Sequence, residues 1–538
     1  MPSIDELPRW LFASDPEWRP GFLKARWLFM RALGFIFFSA FFSLLFQIRG
    51  LIGPDGLLPA DEYLKDVAQY FDFGLARFWA APTLYWFSSS DRALLIVVWI
   101  GIAASVLLML NLWPRATTFI CLVAFLAFIS AAQDFSSYQS DGMLLEAGFL
   151  CLFFAPPGLR PGLGRAHPPS RVSWFLLVWL NFRIYFESGI AKILSHDPQW
   201  HGLTAMDQYY QNGPLPTWIG WYVQHLPHKF HATVVVYILA VELVLAFLMF
   251  LPRKFRIVLF FIITPMQISI ILTANYAFLN YIVLALGILL LDDRFLDRFW
   301  RARNAAPALP ESQPVDSGAG AAVPKPVPEW RAALDDFRFY TGIPWLVVNF
   351  YVTATLLVLM VWSSAPLPIA PVRWLEPFRV ANEFGLFASM TPNRYEIEFQ
   401  GSADGKTWTA YSFRYKPQDI SSAPRIYAPY QPRFDWNLWF ASLGFWREYP
   451  FVLNTEERLL EGSPDVLALF ANNPFPNQPP LQVRAVRWQY WFTDRATKRS
   501  TGQWWRRQLI GLYAPVLERE PDGKYLIVDW PGGASAAP

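Results

Sequence analysis

Charged side chains are scarce in this sequence. Asp, Glu, Lys and Arg together make up 16% of its 538 residues, whereas soluble proteins contain about 25%. Hydrophobic residues reach 54% and aromatic residues 18%, and the mean hydropathy is +0.24. A chain so poor in charge is not an ordinary soluble protein. Its composition predicts a protein that crosses the membrane several times.

Cysteine is almost absent. Cys121 and Cys151 are the only two, and both lie inside apolar runs. A disulfide framework is therefore disfavoured, and so is a thiol redox centre that faces an oxidising compartment. The sequence also lacks a convincing cleavable signal peptide, because the apolar run at 27–46 is longer than a signal core and has no small-residue cleavage site. We expect an uncleaved first membrane helix there.

Several catalytic and binding motifs are missing as well. The chain has no G-x-S-x-G elbow of a lipase or esterase, no H-E-x-x-H zinc motif and no glycine-rich phosphate loop. We therefore predict a protein that is not an enzyme, that needs no cofactor and that binds no nucleic acid.

Apolar runs of near-membrane length recur along the chain. A membrane helix needs about 20 mostly apolar residues, and this criterion predicts about nine spans. They lie at 27–46, 93–112, 117–132, 143–155, 172–194, 232–251, 257–274, 277–291 and 344–362. Lys and Arg collect in alternate connecting loops, which predicts a cytoplasmic N-terminus and an extracytoplasmic C-terminal part. The runs at 143–155 and 277–291 are short for full crossings.

The overall prediction is an α-helical polytopic membrane bundle followed by a β-rich, sandwich-like extracytoplasmic domain. The bundle occupies 1–300, with outer loops at 47–91 and 195–229; a disordered inner linker follows at 301–330, a final membrane helix at 331–368, and the β-rich domain at 369–538. Alternating apolar residues and turn signals predict strands in this last region. They fall at 394–400, 408–415, 483–493 and 525–530, with a helix at 463–473.

Polar and ionisable residues interrupt the apolar runs, where they are costly and point to function. They are Arg183, Glu187, Lys192, Glu242, Gln267, Asn275 and Asn280. Arg183 and Glu187 are four residues apart, so they can pair on one helix face. Lys192, near the outer end, is expected to extend to the interface. We expect Glu242 to meet a polar group on another helix. Two interpretations of these residues remain open. They form an ion pair that stabilises the bundle, or they line a ligand pocket that contains an acid–base group.

Five of the six histidines lie between positions 196 and 231. His225, His228 and His231 are spaced three apart, so two of them with a carboxylate could hold a metal. They are weak candidates because no metal signature surrounds them. The favoured interpretation is structural or partner contact, and no metal is predicted.

Two segments are rich in the aromatic and Arg side chains typical of interface anchors. They supply the client-binding candidates Trp200, His201, Tyr209, Tyr210 and Trp221 in the 195–229 loop, and Arg433, Asp435, Trp436 and Trp439 further on. Arg433 and Asp435 are expected to form a local salt bridge. The alternative is that these residues are core residues of a small β domain. Residues 200–227 and 429–440 are predicted to form one composite outer site.

The chain resembles the lipase maturation factor family. The membrane part carries the resemblance at 192, 200–206, 209–210, 214–217, 221–222, 225–227, 242–243, 267 and 275–280, and the C-terminal part carries it at 429–440, 473–475, 484–485, 490–493 and 501–505. The resemblance implies a membrane protein that helps dimeric lipases to assemble in an active state. The Pro- and Arg-rich style predicts a bacterial member. Glu187 departs from the family, which usually has a small residue there.

The resemblance implies a non-enzymatic maturation factor whose partners are an exported client, possibly a lipase, and membrane lipid. It would lie in the bacterial inner membrane or, in a eukaryote, the endoplasmic reticulum. The alternative is a membrane-embedded enzyme that modifies an exported protein or lipid, since the helical part is distantly similar to vitamin K-dependent carboxylases. Glu187, His201 or Glu242 would then be the acid–base group.

Overall fold

A computed structural model describes residues 11–12, 21–301 and 329–533 of the chain. Its helices before the gap are α1 (Leu23–Leu45), α2 (Ile48–Ile52), α3 (Ala60–Tyr70), α4 (Ala76–Ala80), α5 (Asp91–Met109), α6 (Pro114–Ile129), α7 (Gln139–Phe154), α8 (Arg171–Leu194), α9 (Pro198–His201), α10 (Tyr209–Asn212), α11 (Trp218–Gln224), α12 (His228–Leu243), α13 (Arg253–Thr273), α14 (Leu279–Gly287) and α15 (Asp293–Arg301).

Local sequence signals explain where several of these helices begin. Ser170 caps α8, because its hydroxyl accepts the backbone N–H of Ser173 at 3.2 Å, and this satisfies one of the unpaired N–H groups of the first turn. Pro114 occupies the first position of α6, where its missing N–H costs nothing. Apolar sequence then continues each helix into the bundle.

Five described helices are long and apolar enough to cross a membrane. They are Leu23–Leu45, Asp91–Met109, His228–Phe250, Arg253–Thr273 and Thr341–Val361. Pro114–Ile129 and Leu279–Leu290 are apolar but shorter. The predicted nine crossings are not confirmed, because the run at 143–155 belongs to the 16-residue helix α7, which lies among other helices, and because α8 is not among the helices apolar enough to qualify.

The final membrane helix, α16 (Glu329–Val361), contains the span Thr341–Val361. It begins within the region predicted as a linker at 301–330, and the rest of that prediction, 302–328, lies outside the described residues. A short helix, α17 (Ala370–Leu375), leads into the C-terminal domain.

The C-terminal domain combines one sheet with helices. Its elements are β1 (Arg394–Ser402), β2 (Thr409–Ala410), α18 (Arg433–Leu443), α19 (Pro450–Glu461), α20 (Pro464–Leu467), β3 (Gln482–Phe492), α21 (Arg495–Thr501), β4 (Trp505–Leu512), β5 (Val516–Arg519) and β6 (Tyr525–Asp529). All pairs in the sheet are antiparallel, in the order β2-β1-β3-β5-β6, and β4 also pairs with β3. Ile397 and Phe399 on β1 lie in the core.

The predicted sandwich is not confirmed. The described strands form a single sheet, and α18 and α19 pack against β1 and β3. The predicted strand at 408–415 is reduced to Thr409–Ala410, and the predicted helix at 463–473 to Pro464–Leu467. In the first of these segments the Lys416 and Tyr415 backbone N–H groups bond to the Asp435 side chain instead of to a neighbouring strand.

Candidate functional site

Arg433, the first residue of α18, joins the C-terminal domain to the bundle. Its Nη1 and Nη2 donate to the two carboxylate oxygens of Asp141, each at 2.8 Å, and both side chains are fully buried. Nη1 also donates to the carbonyl of Phe135 at 2.6 Å, while the Arg433 backbone N–H donates to Gln47 Oε1 at 2.7 Å. Such two-pronged pairs combine charge with fixed geometry.

The predicted salt bridge between Arg433 and Asp435 is therefore wrong. Two residues separated by two positions on a helix point in nearly opposite directions. Asp435 accepts the backbone N–H groups of Tyr415 and Lys416, at 3.2 and 3.1 Å. Burial raises the pKa of Asp435 to about 6, and the Lys416 N–H and charge oppose that rise. Asp435 thus fixes the loop before α18 inside the domain.

A second buried connection centres on Arg183 of α8. Its guanidinium pairs with Glu146 of α7 and lies 3.7 Å from Glu187, the partner that the four-residue spacing predicts. The segment after the final helix completes the cluster. Arg183 donates to the Asn382 carbonyl at 2.6 Å, and Glu187 accepts the Phe384 N–H at 2.8 Å. Two bundle helices and the start of the C-terminal domain are held together here.

Lys192 forms the third connection and does not extend to the interface as expected. Its ammonium group pairs with Glu242 of α12 at 2.9 Å, and it donates to the Leu386 carbonyl at 2.9 Å. It also lies 5.2 Å from the centre of the Trp200 ring. Lys192 does not reach the interface because the carboxylate of Glu242 provides a buried counter-charge. The sequence had not identified the partner of Glu242. Buried pairs of this kind require both partners.

The three amide candidates of the apolar runs, Gln267, Asn275 and Asn280, bond to groups other than Glu242. Asn280 donates to Gln267 Oε1 at 2.7 Å, and Gln267 donates to the Tyr185 hydroxyl at 2.9 Å. Asn275 connects two separate segments: its Nδ2 donates to the carbonyls of Leu215 and Arg425, at 3.0 and 2.8 Å. Its Oδ1 accepts the N–H groups of Tyr427 and Ala428, at 2.6 and 3.0 Å.

The two segments predicted to form a composite site do meet, but through buried contacts. Trp439 Nε1 donates to the Asn212 carbonyl at 3.0 Å, and Trp200 Nε1 donates to the Phe387 carbonyl at 3.0 Å. The buried candidates are Trp200, Tyr209, Tyr210, Trp221, Arg433, Asp435, Trp436 and Trp439. His201 is exposed. Most of these residues therefore hold the joint between loop and domain and do not face solvent.

The three spaced histidines do not converge. His225 lies between two carbonyls, of Trp221 at 2.7 Å and of Thr493 at 3.0 Å. His228 Nδ1 lies 2.9 Å from Asp207, and His231 packs beside the Tyr210 ring at 5.6 Å. Over the described ranges, no group of three potential metal ligands is assembled. His225 thus connects the outer loop to the C-terminal domain.

Several residues of this joint are not among the candidates that the sequence predicted. Asp141 lies beside the apolar run at 143–155 and Glu146 lies inside it. A charged residue in such a place is the signal that could have identified both as functional candidates. Arg394 lies at the start of a polar strand, where a charged residue is ordinary, so nothing in the sequence singled it out. Its side chain extends from β1 and donates to the Gln211 and Pro214 carbonyls of the outer loop, at 2.9 and 3.0 Å. Arg394 also pairs with Glu396, which Lys416 contacts at 2.7 Å.

These features define a multi-pass integral membrane protein in which a C-terminal domain with an antiparallel sheet is docked on a helical bundle. The docking uses the buried Arg433–Asp141 ion pair and hydrogen bonds with other buried charged side chains of the bundle. The model of the lipase maturation factor transmembrane domain matches residues 24–298, and that of the lipase maturation factor C-terminal domain matches residues 380–515. The chain belongs to the lipase maturation factor family.

Relatives that carry the name lipase maturation factor align with almost the whole chain. It is 30% identical to lipase maturation factor 2 of Gallus gallus, over 94% of this chain and 82% of the relative. It is also 30% identical to lipase maturation factor 1 of Mus musculus, over 96% and 92%. The human lipase maturation factor 2 matches at 30% identity over 91% and 82%. No solved structure matches the chain.

Proposed function

We propose that this protein is a membrane-bound maturation factor that helps an exported lipase to reach its active state without catalysing a covalent step. The observation that carries the proposal is the match to both lipase maturation factor domains, with relatives bearing that name along more than nine tenths of the chain. The structure adds a buried ion pair between those two domains, formed by Arg433 and Asp141.

The N-terminus lies on the cytoplasmic side in this proposal, and the C-terminal domain lies outside. Basic groups gather at one end of the bundle, where Lys24 pairs with Asp297 and Arg26 donates to the carbonyls of Leu163 and His167. The C-terminal domain meets α1 at the opposite end, through Gln47. Because Lys and Arg favour the cytoplasmic side, this arrangement supports an outward-facing domain.

The client contacts the outer face around the 195–229 loop and does not touch the buried tryptophans. His201 is the candidate that remains exposed there. Trp218 and Tyr222, on the neighbouring helix α11, are 45% and 46% exposed. The centre of the Tyr222 ring lies 5.8 Å from Nζ of Lys498 in the C-terminal domain. Exposed aromatic and cationic side chains of this type anchor protein partners.

Co-expression with a secreted lipase tests the function directly. In cells that lack their own lipase maturation factor, the wild-type chain should raise the activity of the secreted lipase per unit of lipase protein, together with its assembled fraction. Substitutions Trp218→Ala and Tyr222→Ala should reduce this gain while the membrane protein stays at normal abundance. Lys524→Ala, at an exposed position of the β5–β6 turn, is the matched control and should act as wild type.

Two results would overturn the proposal. One is the absence of any change in activity or assembly of the secreted lipase when the wild-type chain is present. The other concerns the enzyme alternative. If Glu187→Gln and Glu242→Gln, which change buried carboxylates, abolish the gain at normal abundance while the surface aromatic variants act as wild type, chemistry inside the bundle is favoured.

A further inference from the structure

A cavity of about 610 Å³ lies where the end of the first membrane helix meets the C-terminal domain. Phe42 and Phe46 of the α1 end line it on one side, and Arg414, Tyr430 and Asp435 line it on the other. The cavity is separate from the Arg183 and Lys192 connections. None of its lining residues contributes to the proposed client surface, so it requires an explanation of its own.

The apolar wall belongs to the membrane. Phe42 and Phe46 are 40% and 57% exposed, and they are the last outward-facing aromatic residues of a helix that is long and apolar enough to cross a bilayer. Their rings lie 5.1 Å apart in an edge contact. Apolar side chains at the end of a membrane helix lie at the edge of the hydrocarbon core, where they contact acyl chains. Lipid therefore reaches the mouth of the cavity.

The polar wall carries one cation without a counter-charge. Arg49 pairs with Asp465 at 3.3 Å, and Asp435 accepts two backbone N–H groups. Arg414 is exposed and, within the part of the chain that the structure describes, has no ion-pair or hydrogen-bond partner. A guanidinium group is suited to the oxygens of a phosphate. The cavity thus combines an acyl-compatible wall with a phosphate-compatible cation.

We propose that this cavity binds one membrane glycerophospholipid, with its phosphate on Arg414 and an acyl chain along Phe42 and Phe46. A free phosphate ion would leave the apolar wall in contact with water, and a neutral diacylglycerol would leave the Arg414 charge unmatched. The bound lipid fills the gap between α1 and the C-terminal domain. It links the position of that domain to the bilayer surface, which goes beyond the maturation activity proposed above.

The structure offers a close control for Arg414. A neighbouring groove of about 510 Å³ is also bordered by Arg414, but Arg425 borders that groove and not the cavity. Arg425 is exposed, as Arg414 is. Ala468 is an exposed lining residue of the cavity, so a larger side chain there would fill the space and leave both arginines in place.

The test measures lipid on the full-length protein purified in mild detergent. Native mass spectrometry would record the phospholipid retained per chain, and then the rebinding of dioleoylphosphatidylglycerol compared with dioleoylglycerol. We expect one retained phospholipid on the wild type and a preference for the phosphate-bearing lipid. Arg414→Gln should weaken rebinding about tenfold, the usual effect of losing one charge-assisted contact. Ala468→Trp should reduce retention to a similar extent, whereas Arg425→Gln should not change it.

The proposal is overturned if Arg414→Gln and Ala468→Trp retain lipid as the wild type does. It is equally overturned if dioleoylglycerol binds as tightly as the phospholipid, or if inorganic phosphate alone displaces the bound lipid. A loss in Arg425→Gln equal to that in Arg414→Gln would move the site to the neighbouring groove and also contradict it. The measurement contains no client, so its outcome is independent of the lipase assay.

Discussion

Arg433 and Asp141 form a fully buried two-pronged ion pair although 292 positions separate them in the chain. Asp141 lies in the first turn of a bundle helix, and Arg433 begins the helix that supports the sheet. The pair therefore connects the two family domains. Arg183 and Lys192 of the bundle add two further connections, because they donate to the carbonyls of Asn382 and Leu386 at the start of the C-terminal domain. The helical bundle therefore fixes the orientation of the C-terminal domain.

Removing one partner of the central pair should loosen the domain. Asp141→Asn leaves the buried Arg433 without its counter-charge, and such changes cost about 3–5 kcal/mol. We expect a lower melting temperature of the purified protein and faster proteolysis between the final membrane helix and the sheet. The double variant Asp141→Leu, Arg433→Met should recover much of the loss, because it removes both charges together.

The control for this prediction is Asp61→Asn. Asp61 pairs with Lys65 on the solvent-exposed side of α3 at 2.9 Å, and exposed pairs of this kind contribute little. Its melting temperature should match that of the wild type. An Asp141→Asn protein that melts and resists protease as the wild type does would show that the pair does not hold the domain in place.

Asn275 should matter more for stability than Asn280, although both are almost fully buried. Asn275→Ala removes bonds to Leu215, Arg425, Tyr427 and Ala428, and Asn280→Ala removes one bond to Gln267. With about 1 kcal/mol for each bond and more for buried groups left unpaired, we expect losses of about 4 and 1 kcal/mol. Thermal melting of the two variants side by side measures this, and equal losses would contradict the bridging role of Asn275.

The local part of this architecture was predictable from the sequence, and the long-range part was not. The spacing of Arg183 and Glu187 predicts their contact because both lie on one helix. Lys192 was misjudged because its partner Glu242 lies on a different helix. Aromatic content alone does not distinguish an exposed anchor from a buried joint. Trp439 illustrates this, since its indole donates to Asn212, a residue of the outer loop.

Trp439 and Trp436 allow a matched test of the joint. Trp439 Nε1 donates to the Asn212 carbonyl, whereas Trp436 Nε1 has no partner among the described residues. Both side chains are buried, so a change to Phe removes similar apolar surface at each site. Trp439→Phe should therefore cost about 1–2 kcal/mol more than Trp436→Phe, because it also leaves a buried carbonyl unpaired. Thermal melting would measure the difference, and a larger loss in Trp436→Phe would contradict it.

Asp435 should make the stability of the folded protein depend on pH. Burial raises its pKa from 3.8 to about 6, so between these values the folded chain holds a proton that the unfolded chain has released. Stability contributed by this group is thus complete below about pH 3.8, and it is lost as the pH rises through 6. The full difference corresponds to about 3 kcal/mol.

The measurement compares wild type with Asp435→Asn, which keeps an oxygen to accept the Tyr415 and Lys416 N–H groups. From pH 7.5 to pH 4.5 the melting temperature of the wild type should rise relative to that of Asp435→Asn. Asp404→Asn is the control. Backbone N–H groups lower the Asp404 pKa to about 2, so protonation of Asp404 changes the stability only below pH 4.5. A constant difference between wild type and Asp435→Asn across the range would mean that Asp435 is ionised at every pH, and hence that Lys416 and the loop N–H groups outweigh its burial.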